Sequence, residues 1–544
     1  MTHSKATVSG PSQPQKLDVV IIGAGLAGMY QLFRVRELGM SVRVIEAGSE
    51  VGGTWYWNRY PGARFDSESY TYGYSFSKEL LQEWSWSEHF APQPETLRYA
   101  QHVANKFDMR RDILFQHKVV SAEWLEESRE WELKLHTGEL MTARFLITAV
   151  GSLSVPTLPR IEGIEQFAGV ACHTANWPHE AVRFEGKRVA VLGTGATGIQ
   201  TIQEVAKTAA HLTVFQRTAN WSAPLHNSPI TREQQIAIKS SYSDIFERCR
   251  ESNSGFIHSP DPRRGVEVSE QEREEFWEKL YKSPGFGIWV GNFRDLMTDR
   301  QTNAWMSDFI ARKIRQRVKD PAVAEKLIPK DHGFGTRRVP LESGYFEIYN
   351  QANVELIDLR ETPIERITPA GIRTAQRDFE FDMIIYATGF DALTGAYDQI
   401  DIRGTNGRRL KDQWAQGART FQGFQSADFP NLLMVMGPMG ALGNIPRVIE
   451  YNVEWVSKLL KHMQTKGLTR VEARPESVQA WMEVVKSASI GLLSNEVDSW
   501  MTGVNTNVEG KTERVLSRFS GTGPDFRSRC DAVAANGYLE LDMK

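Results

Sequence analysis

LDVVIIGAGLAGMYQ, residues 17–31, and KRVAVLGTGATGIQT, residues 187–201, are two versions of one pattern and decide the fold. Each is an apolar strand, a glycine turn of the form GxGxxG and the first turns of a helix. In that order the glycines close a tight turn, let backbone approach a pyrophosphate and let the helix pack on the strand. The helix N-terminus then faces the phosphates. Gly23, Gly25 and Gly28 form the first cradle, and Gly193, Gly195 and Gly198 form the second. One chain therefore carries two dinucleotide-binding units.

The residue at the end of the next strand separates the two units. Eighteen residues beyond Gly28 stands Glu46, closing VRVIEA, where a carboxylate accepts hydrogen bonds from both hydroxyls of an unphosphorylated ribose, as in FAD or NAD. Nineteen residues beyond Gly198 the matching place holds Arg217, a permanently charged fork suited to a 2′-phosphate. This reading prefers NADPH to NADH there; the alternative makes Arg217 a solvated strand-end charge. Two sites of opposite sugar preference point to electron transfer from a nicotinamide to a flavin.

Working outward, SVRVIEA from Ser41, RFLITAV from Arg144, HLTVFQ from His211 and FDMIIYATG from Phe381 read as parallel-sheet strands. Between Thr231 and about Lys330 the chain turns to long charged segments, with Ser269 and Glu272 at capping-box spacing, which predicts a helical insert. NLLMVMGPMGALGNIP from Asn431 predicts a buried strand running into a Gly/Pro-rich turn, and a helix follows from Val448. The fold expected is α/β, with two Rossmann-like dinucleotide-binding domains, for FAD and NADP, and a helical insert. The expected boundaries are a disordered tail over 1–16, an FAD domain over 17–150 and 388–544, an NADP domain over 151–222 and 335–387, and the insert over 223–334.

Composition excludes other classes. With 544 residues, 41% hydrophobic and 24% charged, the chain can bury a sizeable core and is neither disordered nor fibrous. Lys plus Arg number 64 against 67 Asp plus Glu, a net charge of −3, which gives no electrostatic reason for a nucleic-acid partner. The first sixteen residues are polar with no apolar signal core, and no run of 18 apolar residues occurs, so no membrane association and a cytoplasmic location are expected. Cys172, Cys249 and Cys530 lie far apart and form neither a redox pair nor a metal cluster. A disulfide reductase of this layout needs a cysteine pair, so oxygen becomes the electron acceptor by elimination.

Two gapped patterns between the cradles carry a family resemblance. FAGVACHTANWP, with Phe167, Gly169, His173, Trp177 and Pro178, resembles the F-x-G-x-x-x-H-x-x-x-W-P fingerprint of Baeyer–Villiger monooxygenases. GGTWYWNRYPGARFD, with Gly53, Trp55, Tyr60, Pro61, Gly62 and Asp66, resembles the family's longer signature. Related monooxygenases that oxygenate nitrogen or sulfur usually lack the Trp-Pro, so Trp177 and Pro178 favour oxygen insertion beside a carbonyl. His173 reads as a marker and is given no chemical role.

The resemblance implies that NADPH reduces FAD, that O2 adds at the flavin C4a carbon, and that the resulting peroxide attacks a ketone, here a cyclic or bulky one, to give a lactone or ester. Such anions need a fixed cation in a dry site, and arginine keeps its proton there. The family pattern places that arginine at Arg338 in GFGTRRVP, with Asp66 beside it. Arg337 stands where relatives carry a lysine thought to hold the NADP 2′-phosphate. The resemblance further implies FAD contacts from Gly53, Thr54, Trp55, Asp66, Tyr72 and Val119, and NADP contacts from Arg64, Thr197, Thr218 and Trp500. WMTGVNTNVEGK, from Trp500, carries about two residues more than the usual pattern. Leu442, in GPMGALGNIP, stands where an aromatic often lines the substrate pocket, and an aliphatic there would widen it. Two rivals stay open at this point, a heteroatom-oxidising flavin monooxygenase and a catalytically silent dinucleotide-binding module.

Overall fold

Val19–Ile22 pair residue by residue with Val42–Ile45, in parallel, and the same strand pairs in parallel with Leu140–Thr148 on its other side. Their paired C-terminal stretches, Val19–Ile22, Val44–Ile45 and Phe145–Ile147, are apolar and buried, as a sheet covered on both faces requires. The computed structural model describes residues 15–544. The strand Gln15–Ile22 takes in Gln15 and Lys16, which pair with Met141 and Thr142, so the tail boundary drawn at residue 16 is two residues too late. The rest of that tail lies outside the described residues.

This first sheet has eight strands. Ile113–Leu114 extends it beyond Val42–Ile45, and Glu130–Leu135 and Val119–Leu125 form an antiparallel extension beyond Leu140–Thr148. Two later segments join it: Asp401–Arg403 pairs with Val119–Leu125, and Leu432–Met434 pairs with Leu140–Thr148. The hydrophobic core around the sheet accordingly mixes residues from Leu17 to Ala149 with residues from Tyr397 to Leu541. The helix expected from Val448 begins at Ile445 and runs to Lys466, because Pro446 suits the first turn, where no backbone donor is needed.

The second sheet has five parallel strands in the order Val354–Asp358, His211–Gln216, Arg188–Leu192, Met383–Tyr386 and Val170–His173. Between residues 231 and 328 the chain is largely helical. Its helices include Glu270–Lys282, capped by Ser269 and Glu272 in the reciprocal pattern read from sequence, and Arg300–Arg317, capped by Asp299. Trp277, Phe309 and Ile310 from these helices share one buried cluster with Val189, Val191 and Val214 of the sheet. The insert is thus fastened to the second sheet through common core.

Candidate active site

The first and third glycines of the two turns meet equivalent neighbours. Gly23 has φ +102° and its Cβ position would lie 2.6 Å from the Ala149 carbonyl oxygen; Gly193 has φ +106° and would lie 2.5 Å from the Ala387 carbonyl oxygen. In both, a Cβ on the third glycine, Gly28 or Gly198, would overlap the carbonyl of the first. These positions accept only glycine. The middle glycines differ. A Cβ at Gly195 meets nothing within 4 Å, whereas Gly25 faces Gly53, whose own Cβ would lie 2.8 Å from the Gly25 Cα. The longer signature thereby packs directly on the first cradle.

Glu46 is buried and closes the first turn. Its Oε2 accepts the Ala24 N–H at 2.7 Å and its Oε1 the Gly48 N–H at 2.7 Å. Burial pushes its carboxyl above the usual range, and the two backbone donors pull the other way. Each oxygen keeps a further lone pair for a ribose hydroxyl. Thr54 and Trp55 open the short helix that follows Gly53, and the Trp55 indole N–H donates to the Tyr72 hydroxyl at 3.2 Å. Val119 is buried at the start of Val119–Leu125. The open second cradle and the closed-in first one both fit the pyrophosphates they are read to hold.

The structure brings Asp66 and Arg338 together. Arg338 Nη2 lies 2.7 Å from Asp66 Oδ2, and the Leu341 N–H donates to the same oxygen at 3.1 Å. Asp66 is buried, which raises its carboxyl, while Arg338 opposes that shift. Arg338 Nη1 is buried and has no hydrogen-bond partner. The Phe286 ring lies 5.7 Å from the guanidinium carbon, with Phe256 packed 5.1 Å beyond it.

The NADP-side residues gather less tightly. Thr197 accepts from Thr174 at 3.1 Å, and the Thr218 carbonyl accepts from Thr194 at 2.9 Å. Arg64 spends its Nη1 on Glu88 and on the Phe90 carbonyl, both at 3.0 Å. Arg217 is exposed at its strand end and donates to Thr506 at 2.8 Å. Arg337 lies 3.5 Å from Asp331. Trp500 opens a single turn to Thr502 and is half-buried. Leu442 is half-buried between Ala441, which bridges to Phe519, and Gly443, which is pressed against the Ser254 carbonyl.

A pyridine nucleotide-disulphide oxidoreductase family model matches residues 20–258. The described cysteines are free and buried, with no disulfide pair among them, so that likeness lies in the dinucleotide-binding scaffold. The chain is 46% identical to a 2-oxo-Δ3-4,5,5-trimethylcyclopentenylacetyl-CoA monooxygenase of Pseudomonas putida, over 98% of this chain and 100% of the relative. It is 39% identical to a Baeyer–Villiger monooxygenase of Pseudooceanicola batsensis, over 96% of each chain. A crystal structure of OTEMO in complex with FAD and NADP matches with a TM-score of 0.93 at 46% identity, covering 97% of this chain and 99% of that one. The chain belongs to the Baeyer–Villiger monooxygenase family.

In this Baeyer–Villiger monooxygenase the fingerprint histidine has a local task. His173 Nδ1 accepts the Ala175 N–H at 3.0 Å, capping the turn Thr174–Asn176 that leads to Trp177. Burial pushes its imidazole down to about 4, so it is neutral and its capping nitrogen stays free to accept.

Four further residues have places that the sequence reading did not assign. Gln200, on the helix Ala196–Val205, accepts from Tyr60 at 2.7 Å, donates to the Arg64 carbonyl at 3.1 Å and stands 3.5 Å from Asp66. It ties the second cradle's helix to the Asp66–Arg338 pair. Arg360 and Asp331 gather beside Arg217 and Arg337. Lys511 pairs with Asp391 and donates to Thr394 at 2.8 Å, pinning the chain beyond Trp500.

Among the described residues no helix is long and apolar enough to cross a membrane, and no cluster of metal-ligand side chains occurs.

Proposed function

We propose that the protein is an FAD-containing, NADPH-dependent enzyme that uses O2 to convert cyclic or bulky ketones into lactones or esters in the cytoplasm. FAD reduced by NADPH supplies the chemistry that activates oxygen. The first cradle with Glu46, Gly53, Thr54, Trp55, Asp66, Tyr72 and Val119 holds the flavin. Gly193, Gly195, Gly198, Arg64, Thr197, Thr218, Arg217, Arg337 and Trp500 hold the nicotinamide nucleotide. Residues 15–150 with 388–544 form the FAD domain, and 151–222 with 335–387 form the NADP domain.

The observation that carries this reading is the division of labour at Arg338. One arm of its fork is held by Asp66, and the other is buried without a partner. A guanidinium fixed in this way offers an N–H to negative charge developing on oxygen, an interaction that strengthens as water is excluded. Asp66 orients the fork and tempers its field. Leu442 and the turn around it border the substrate space, and the P. putida relative is named for a substrate with a 2-oxo-cyclopentenyl ring, which supports a ring ketone.

The test is turnover of a cyclic ketone under labelled dioxygen. One labelled oxygen in the ring ester supports the reading. Oxygenation of amines or sulfides with ketones left untouched would replace it by heteroatom oxidation, and protein that binds no FAD would replace it by a silent binding module.

A further inference from the structure

We propose that Arg360 is a third ligand for the 2′-phosphate of NADP, beside Arg217 and Arg337, and that Asp331 is the internal carboxylate with which the phosphate competes. This rests on the reading of the second cradle as an NADPH site.

The strands His211–Gln216 and Val354–Asp358 are parallel neighbours and end level, Gln216 opposite Asp358. The two arginines that leave these ends therefore emerge on one rim, where the first discriminates the ribose. Arg360 is tied down there. Its N–H donates to Asp358 Oδ1 at 2.9 Å, and its Nε donates across to the Arg217 carbonyl at 3.1 Å. Its guanidinium thus lies over the backbone of the ribose-reading residue. Arg337 arrives from the loop that ends in Arg338.

Asp331 faces both incoming forks. Its Oδ2 lies 3.5 Å from Arg337 Nη2 and 3.8 Å from Arg360 Nη2. Its Oδ1 is occupied by His332 Nδ1 at 2.7 Å, and that contact, with Arg337 nearby, holds the carboxyl down to about 2. Lys326 and Lys330, on the same surface, are each paired, with Glu361 at 2.6 Å and Glu325 at 2.7 Å. Asp498, another carboxylate near Arg337, is held by Arg514 at 2.6 Å. Asp331 therefore serves Arg337 and Arg360 together, while Arg217 binds only a hydroxyl.

The charge count and the donor count agree. Arg337 Nε is buried without an acceptor, and Arg217 and Arg360 both press on the Arg337 charge. A phosphomonoester brings about two negative charges and three acceptor oxygens, which is what clustered guanidinium forks with spare N–H groups bind. A ribose 2′-hydroxyl brings neither.

The experiment measures calorimetric binding of 2′,5′-ADP and of 5′-ADP to the FAD-loaded protein and three variants. Wild type is expected to prefer 2′,5′-ADP. Arg360→Ala is expected to weaken 2′,5′-ADP about tenfold while 5′-ADP changes less than about twofold, and Arg360→Lys to fall between. Asp331→Asn, which keeps an acceptor for His332, is expected to tighten 2′,5′-ADP severalfold, an effect that structural damage does not produce. Unchanged 2′,5′-ADP binding in Arg360→Ala overturns the role of Arg360, and weakened binding in Asp331→Asn overturns that of Asp331. Equal binding of the two probes by wild type would instead remove the NADPH reading beneath both.

Discussion

Asp66 Oδ2 forms an ion pair with Arg338 Nη2 at 2.7 Å and accepts the Leu341 N–H at 3.1 Å, so one carboxylate oxygen grips both the arginine and the chain just beyond it. The grip crosses from the flavin-side signature to the loop after the insert. It leaves Arg338 with one fixed arm and one free arm.

The proposed function assigns the free arm of Arg338 to the oxygen-transfer step. Arg338→Ala is expected to retain FAD and to be reduced by NADPH without oxygen at a rate within a few-fold of wild type. Ester formation is expected to fall at least about a hundredfold, the usual cost of losing one preorganised donor to an oxyanion. Anaerobic stopped-flow absorbance and product quantification separate the two steps.

The glycine turns predict opposite outcomes for one change. Gly28→Ala places a methyl onto the Gly23 carbonyl, so the variant is expected to fold poorly and to lose its flavin absorbance. Gly195 has φ −77° and open space around its Cβ position. Gly195→Ala is therefore expected to keep FAD and the wild-type melting temperature while the KM for NADPH rises about tenfold or more, because the methyl stands where backbone must approach a pyrophosphate.

His173 gives the stability a pH dependence with a defined sign. Its imidazole titrates at about 4 in the fold against an ordinary 6.5, so below 6.5 the unfolded chain takes up the proton that the native chain refuses. Its contribution is complete above 6.5 and is lost as pH falls toward 4, by ~3 kcal/mol in all. His173→Asn retains a good cap and does not titrate. Denaturant unfolding between pH 4 and 6.5 is expected to show a shallower decline in the variant than in wild type.

Lys511 fastens the segment that carries Trp500. It joins Asp391 and Thr394, while Asn505 and Asn507 donate to the Phe390 and Thr388 carbonyls at 2.8 and 3.2 Å. Lys511→Ala is expected to speed tryptic cleavage near Arg514 and Arg518 severalfold and to raise the NADPH oxidised per ester formed. Peptide mapping and product stoichiometry check the two effects.

The sequence showed most where geometry is local. The strand, turn and helix of each cradle, Glu46 and Arg217 at the strand ends, and the Ser269 cap all follow from residues within a few turns of one another. The Asp66–Arg338 pair came from the family resemblance, since no spacing rule joins those positions. Arg360 and Asp331 stayed hidden because the rim exists only once Val354–Asp358 has paired with His211–Gln216, and nothing in VELID names its neighbour. Gln200 was hidden differently: it sits two residues past Gly198 of the second cradle, but its partners Tyr60 and Asp66 come from the other unit. Lys511 belonged to a stretch whose spacing departs from the family pattern, and only the folded chain shows what it holds.

The most direct test of the whole account is the ratio of lactone formed to NADPH consumed by the FAD-loaded protein in aerated buffer, with cyclohexanone and a bulkier cyclic ketone. The account predicts about one lactone per NADPH in wild type and NADPH consumption without lactone in Arg338→Ala. Hydrogen peroxide release with no ester from a broad panel of ketones would contradict it.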